Sequence, residues 1–307
     1  MTQYIATTVE GIEEGAAQEL NGKFYSPGRI IFEDYNNEAF LTADIIYELI
    51  KSFSFSNLSD LLDNVKDINL DISGSYSCLC KRQGEHDFTS TIIEQDVGRI
   101  IGTRNELSYS RDSPDNVIFI DITEKKCNIG ILKKKDLSKR EYRFKLHNQT
   151  TPQLVASCLI KYLNINQEDS ILVPECKDGV IPIEASLQGI TEITAQDCYQ
   201  NNIRNAKINA KLAQKEIKFT SVALNEIVEK KDYIICQVIF SKYRKGPYDL
   251  INQLFQTANR LLNKKLVIIT NHPKDFENFK PENFILKESL MIRHKKAIST
   301  VLIYSKE

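Results

Sequence analysis

No apolar run in this 307-residue chain is long enough to cross a bilayer, so no membrane-spanning helix is expected within it. The opening Met1-Thr2-Gln3-Tyr4-Ile5-Ala6 lacks the basic flank and apolar core of a secretion signal, so a cytoplasmic location is expected. Paired cysteines are missing as well. Seven is an odd number, and they lie scattered through apolar, strand-like segments, which fits reduced thiols better than a disulfide framework. Cys78 and Cys80 share one strand face with no second pair at zinc spacing, so no metal is expected. Basic residues are scarce at first: up to residue 75 there are only Lys23, Arg29, Lys51 and Lys66. Internal repeats and low-complexity segments are absent. Glycine is sparse where it would matter most. A nucleotide-type loop between a strand and a helix needs glycines so that its backbone can approach the ligand. In the stretch 170–186, which reads as strand, tight turn and helix, only Gly179 is present.

The length suits two domains or more, and the net charge of -1 excludes general polyanion stickiness. The charge is unevenly placed. Residues 125–145 carry Lys125, Lys126, Lys133, Lys134, Lys135, Lys139, Arg140, Arg143 and Lys145 against only Asp136 and Glu141. Such a segment fits either a local polyanion site or a solvated face. His86, His147, His272 and His294 are dispersed and receive no chemical role.

Periodicity predicts strands at 3–8 and 28–33 and helices at 10–20, 37–50 and 58–65, a small ferredoxin-like α+β unit. A strand at 75–81, a helix at 92–101 capped by Ser90, and strands at 117–122 and 127–132 follow. From Thr150-Thr151-Pro152, a good helix start, short apolar strands at 170–173, 191–196, 217–222, 232–240 and 265–270 alternate with helices. That alternation predicts a parallel sheet covered on both faces, closed by an antiparallel pair at 283–291 and 297–304. The expected domains are 1–70, 71–145 and 146–307.

Two motifs carry a resemblance. Cys-Lys-Arg-Gln-Gly-Glu-His-Asp-Phe-Thr-Ser at 80–90, followed by Leu-Ser-Lys-Arg-Glu-Tyr-Arg at 137–143, is similar to THUMP domains. It resembles in particular those preceding class I S-adenosylmethionine methyltransferase domains that modify guanine at N2 in tRNA. The segment after it has that catalytic domain's element order. The resemblance implies an α/β protein: a ferredoxin-like and THUMP module, then a Rossmann-like domain with a mostly parallel seven-stranded sheet and a terminal hairpin. It implies a grip on the acceptor end of tRNA, with no DNA or membrane partner. Lys81, Arg82, Lys139, Arg140 and Arg143 would meet phosphates, and Tyr142 would stack or pack.

Against that family's pattern the cofactor loop departs. Active members read approximately Asp-Pro-x-Cys-Gly-Ser-Gly-Thr, where this chain has Val173-Pro174-Glu175-Cys176-Lys177-Asp178-Gly179-Val180. Val173 replaces an acid, and Lys177 replaces a glycine beside the place of a sulfonium. Pro182 is expected to bend the helix that follows. The resemblance leaves Glu175, Gly179, Asp197 (ribose hydroxyls) and Asn225 (adenine amine) as cofactor contacts. At the catalytic Asp/Asn-x-Pro-Tyr/Phe it leaves Gln237-Val238-Ile239-Phe240, with Gln237 accepting from the target amine and Phe240 stacking on the base. Each missing hydrogen-bonded acid would cost about 1.5–3 kcal/mol of affinity. The favoured expectation is therefore a tRNA-binding protein whose methyltransferase-like domain binds S-adenosylmethionine poorly or not at all, a chaperone or the recognition half of a complex with a protein partner. An active tRNA guanine-N2 methyltransferase with a divergent site and a protein-interaction module stay open beside it.

Overall fold

The computed structural model describes residues 2–36, 38–239, 247–277, 279 and 281–307. In chain order the first elements are β1 (Tyr4–Thr7), α1 (Glu13–Leu20), β2 (Lys23–Ser26), β3 (Arg29–Phe32), β4 (Ile45–Ser54), α2 (Leu58–Val65), β5 (Ser75–Gln83), α3 (Ser90–Arg104), β6 (Ser108–Tyr109), β7 (Asn116–Thr123) and β8 (Lys126–Lys134). There follow α4 (Gln153–Tyr162), β9 (Ile171–Val173), α5 (Val180–Leu187), β10 (Ile193–Gln196), α6 (Gln200–Leu212), β11 (Lys218–Thr220) and β12 (Lys231–Val238). The last are α7 (Pro247–Leu261), β13 (Leu262–Thr270), α8 (Pro273–Glu277), β14 (Phe284–His294) and β15 (Ala297–Lys306). None of the described helices is long and apolar enough to cross a membrane.

Two compact units share the chain: 1–7, 31–38 and 44–136 in the first, and 8–30, 39–43 and 137–307 in the second. The chain therefore passes between them five times, and residues 137–145 cluster with the second. In the first unit β1, β4, β8, β7, β5 and β6 lie side by side. The pairs from β1 to β7 are antiparallel; β7–β5 and β5–β6 are parallel. Ile118, Ile120 and Ile122 of β7 bury one face against Leu61, Val65, Ile93, Val97 and Ile101 of α2 and α3. Thr89 caps α3, its Oγ1 accepting from the Ile92 amide at 3.3 Å, one residue before the expected Ser90.

The expected helix at 37–50 is instead the strand β4. Its register against β8 slips between Ile46 and Tyr47 and again between Leu49 and Lys51. The first leaves Lys133 extra in β8, and the second leaves Ile50 extra in β4 and breaks its strict alternation, so Ile45, Ile46 and Leu49 imitate helical spacing. The alternation becomes plain only in Lys51-Ser52-Phe53-Ser54.

The second unit's sheet runs β11-β10-β9-β12-β13-β15-β14. β11 to β13 are parallel, and β15 is antiparallel to both β13 and β14, as expected. These strands are apolar on both faces, Ile171, Ile193, Ile235 and Val267 burying into one cluster and Leu172, Ile234 and Ile268 into another. Strand order reverses between β9 and β12. In open α/β sheets that reversal leaves a crevice at the strands' carboxyl ends, where ligands bind. Pro182 does not bend α5: it sits in the first turn, where amides have no helical partner.

Within this unit α1 lies directly on α4. A Cβ at Gly15 would stand 2.3 Å from the Cys158 carbonyl oxygen. Gly15→Ala should therefore cost about 1–3 kcal/mol through overpacking. The expected result is a melting temperature lowered by roughly 2 °C or more in calorimetry; an unchanged value would show that the two helices part freely.

Candidate cofactor crevice and basic segment

The loop after β9 keeps a glycine-type backbone without the glycines. Glu175, Lys177 and Gly179 take φ values of 50°, 53° and 85°. An L-residue held there costs on the order of 1 kcal/mol, so the surrounding bonds must impose the path. They do: the Cys176 amide donates to Gln196 O at 2.9 Å and the Lys177 amide to Asp197 Oδ2 at 3.0 Å. Gly179 answers to packing, since a Cβ there would lie 3.0 Å from Ala206 Cβ on α6.

Lys177 is 7% exposed. Its Nζ donates to the Gln149 carbonyl at 3.0 Å, and that same oxygen accepts from Gln237 Nε2. Gln237 Oε1 in turn accepts from the Thr151 amide at 2.5 Å and from Thr151 Oγ1 at 2.6 Å. Side chains from the ends of β9 and β12 thus meet on one carbonyl, across the point where strand order reverses. Beside them a cavity of about 220 Å³, bounded by Thr151, Pro152, Val155, Gln237, Ile269 and Ile292, falls below the roughly 300 Å³ of small ligand sites.

Asp197 is fully buried, and its two oxygens receive the Lys177 amide, the Tyr199 amide at 2.9 Å and the Asn202 amide group on both. A carboxylate has about four lone-pair sites, so none is left for ribose hydroxyls. Val173 is buried and offers no acceptor. Glu175 is half-buried, and Asn225 is exposed in a 3-10 turn at Leu224–Glu226. Phe240 lies outside the described residues. The residues in place therefore do not fit the S-adenosylmethionine pattern that the resemblance implies: Val173 stands where an acid is expected, Asp197 accepts from protein donors, and a lysine ammonium stands in the loop.

Two cations of the basic segment, Arg140 and Arg143, are turned inward onto buried carboxylates. Arg140 Nε donates to Glu184 Oε1 at 3.0 Å and Nη2 to Oε2 at 3.3 Å, with further bonds to the carbonyls of Leu137 and Leu41. Tyr142 is buried and donates to Glu184 Oε1 at 2.7 Å, and Ser157 Oγ donates to Oε2. Burial, and then the Glu184 carboxylate, push the Tyr142 phenol far above its ordinary pKa. Arg143 reaches Gln153 at 2.6 Å and Asp178 at 3.2 Å; Asp178 also accepts from the His147 amide and Thr150 Oγ1. Neither phosphate contact by Arg140 nor stacking by Tyr142 is compatible with these bonds, because their polar atoms already bind buried partners. Lys139 is exposed. Lys81 and Arg82 belong to the first unit and are exposed on β5, with the Arg82 guanidinium 5.7 Å from the Phe88 ring centre. Sequence reading missed Glu184, although an acid inside Ile181-Pro182-Ile183-Glu184-Ala185 signals a buried charge needing a cation. It missed Gln149 and Thr151, for which no local signal exists.

Among the described residues no three His, Cys, Asp or Glu gather as a metal site. Cys78 and Cys80 are pushed up to about 12, mainly by burial.

Two outcomes follow from this geometry. Arg140→Ala leaves Glu184 as a buried, unpaired carboxylate, a loss of about 3–5 kcal/mol to be read by denaturant unfolding; a loss below 1 kcal/mol would mean that water reaches the pair. His147 is held below its ordinary pKa by burial first and by the Lys177 ammonium second. With its folded pKa lowered, its contribution to stability is present above about pH 6.5 and declines as the pH falls through that value toward the folded pKa. An NMR titration should show the low pKa and a rise toward the ordinary value in Lys177→Met; no rise would place the ammonium elsewhere.

Comparison with known proteins agrees with this architecture. Residues 140–297 match the RMKL-like, methyltransferase domain model, and residues 42–132 match the THUMP domain model. The tRNA (guanine(6)-N2)-methyltransferase of Archaeoglobus fulgidus is 23% identical over 336 aligned positions, covering 91% of this chain and 85% of that protein. The enzyme of the same name from Methanocaldococcus jannaschii is 32% identical over 118 positions, 34% of this chain and 30% of that one. Among solved structures, TrmN from Thermus thermophilus superposes with a TM-score of 0.78 at 18% identity, covering 100% of both chains. SMU.472, solved in complex with SAH, gives 0.78 at 15% identity, covering 100% of this chain and 98% of that one. At these identities the structural likeness establishes the fold. With a THUMP domain followed by a matched catalytic-type domain over half its length, the chain belongs to the THUMP-bearing RMKL-like methyltransferase family.

Proposed function

We propose that this chain is a tRNA-binding protein whose methyltransferase-type domain does not bind S-adenosylmethionine efficiently and does not catalyse transfer, serving as a tRNA chaperone or as the recognition subunit beside a protein partner. The observation that carries the reading is the bridge from Lys177 and Gln237 onto the Gln149 carbonyl, which ties the cofactor-type loop and the end of β12 to the chain's own backbone. The full acceptor set of Asp197 and the buried Val173 support it. tRNA as the ligand is supported by the THUMP match and by the names of the relatives. Within this reading Lys81, Arg82 and Lys139 contact the acceptor end from exposed positions, the protein works in the cytoplasm, and 1–70, 71–145 and 146–307 act as its three functional parts.

A second reading, an active tRNA guanine-N2 methyltransferase with a divergent site, is favoured by the relatives' names and by one atom. Gln196 Oε1 at the end of β10 is buried with no hydrogen-bond partner among the described residues, an acceptor open to an amine.

Calorimetric titration with S-adenosylmethionine separates the two. The unsubstituted chain should bind more weakly than millimolar, or less than about 4 kcal/mol of binding free energy. Lys177→Gly, which removes the side chain from the crevice, should bring binding into the measurable range. Micromolar binding by the unsubstituted chain, with methyl transfer to tRNA, would overturn our reading in favour of the second.

A further inference from the structure

Arg140 and Arg143 are held by buried carboxylates, whereas α6 carries cations with no carboxylate partner among the described residues. Arg204, Lys207 and Lys211 follow one another at i, i+3 and i+7, which places them within one narrow stripe of a helix. All three are exposed, and the opposite face buries Ile203, Ala206, Asn209 and Ala210. From Cys198 to Lys215 the chain contains no Asp or Glu. Past the helix end the half-buried Lys215 lies next to the exposed Glu216 in sequence. Among the described residues, no carboxylate pairs with Arg204, Lys207 or Lys211. The contrast with the rest of this unit is sharp: Lys218 and Lys231 both reach Glu229, and Lys264 reaches Asp169.

Exposed aromatics flank this helix. Tyr199, at its amino end, is 64% exposed. Phe144 is 68% exposed, with the Lys145 ammonium 5.1 Å from its ring centre. Asn209 holds this segment on α6 from both sides, its Oδ1 accepting from the Lys145 amide at 2.9 Å and its Nδ2 donating to the Lys145 carbonyl at 2.8 Å. Cations in a row with fixed, open rings are the combination that meets nucleic acid, phosphates by charge and bases by stacking. Arg204 to Lys211 spans roughly 10 Å of helix, the axial rise of about three phosphates on one strand of a duplex.

We propose that the exposed face of α6 is an RNA-backbone contact surface that meets the phosphates of a bound tRNA. The proposal rests on the tRNA-binding part of the reading above and not on the state of the cofactor crevice. α6 supplies contacts that Arg140 and Tyr142 cannot, since those side chains are held by Glu184.

The test is tRNA binding by the full chain as a function of salt, using an unmodified tRNA transcript as the probe. The triple variant Arg204→Gln, Lys207→Gln, Lys211→Gln keeps good helix formers at solvent-facing positions, and circular dichroism with a melting curve checks that it folds. Lys218→Gln, which removes an already paired cation, is the control. Removing three phosphate contacts should flatten the slope of log affinity against log salt by roughly 2–3 and weaken binding on the order of tenfold or more at moderate salt. The control should leave the slope in place. An unchanged slope and affinity in the folded triple variant overturn this inference alone, and would leave the stripe to a protein partner or to solvent. Failure of the unsubstituted chain to bind tRNA overturns both this inference and the tRNA reading beneath it.

Discussion

Glu184 has no exposed surface and lies in an otherwise apolar helix, and much of the second unit is arranged around that fact. An ionised carboxylate taken out of water costs several kcal/mol unless it is paired and hydrogen-bonded. Here a guanidinium, a phenol and a hydroxyl are brought to it from three places in the chain, Arg140, Tyr142 and Ser157. Arg140 then ties in the carbonyls of Leu137 and Leu41 with the donors it has left. The same solution recurs at Asp178, which gathers Arg143, His147 and Thr150, and at Asp197, which gathers the cofactor-type loop and the start of α6. These buried acids fix the loops at the carboxyl edge of the sheet. They do so by binding protein, and that leaves their oxygens unavailable to a ligand.

Fold and chemistry separate cleanly in the loop after β9. Left-handed backbone at Glu175, Lys177 and Gly179 is retained at some cost, because the amides of Cys176 and Lys177 are bonded to Gln196 and Asp197. The path of a ligand-cradling loop is thus specified by backbone hydrogen bonds that do not depend on which side chains it carries. What the side chains do is a different matter. Lys177 turns its ammonium onto Gln149, and Gln237 closes on the same carbonyl from the neighbouring strand. Matching a family by fold and element order is compatible with either activity or its absence, since function resides in the site's own atoms.

Most of the fold can be read in the sequence, and the reason is local. Strands β9, β10, β12 and β13 are short apolar runs between helical patterns, and each carries its own signal. β4 is not legible, because a bulge at Ile50 interrupts its alternation and only its partner strand β8 reveals the register. The crevice was legible as a set of substitutions, with Val173 and Lys177 at the informative places. Its occupation was not, since Gln149 and Thr151 meet Gln237 across more than eighty residues of chain and nothing in their neighbourhood announces the contact. Pro182 misleads for the opposite reason: its effect depends on where the helix begins, and α5 starts two residues before it.

The basic segment shows why a run of cations is ambiguous until its partners are known. Arg140 and Arg143 lie in the chain's densest cationic stretch, yet both serve buried carboxylates supplied from α5 and the loop before it, forty-four and thirty-five positions away. The stripe on α6 is sparser in sequence and forms no cationic run, although no acid lies within it. Charge available to a partner is the charge left after internal pairing. In a chain whose formal charges nearly cancel, that remainder is set by geometry, and on α6 it is left by a helix that exposes one face where the surrounding chain provides no acid.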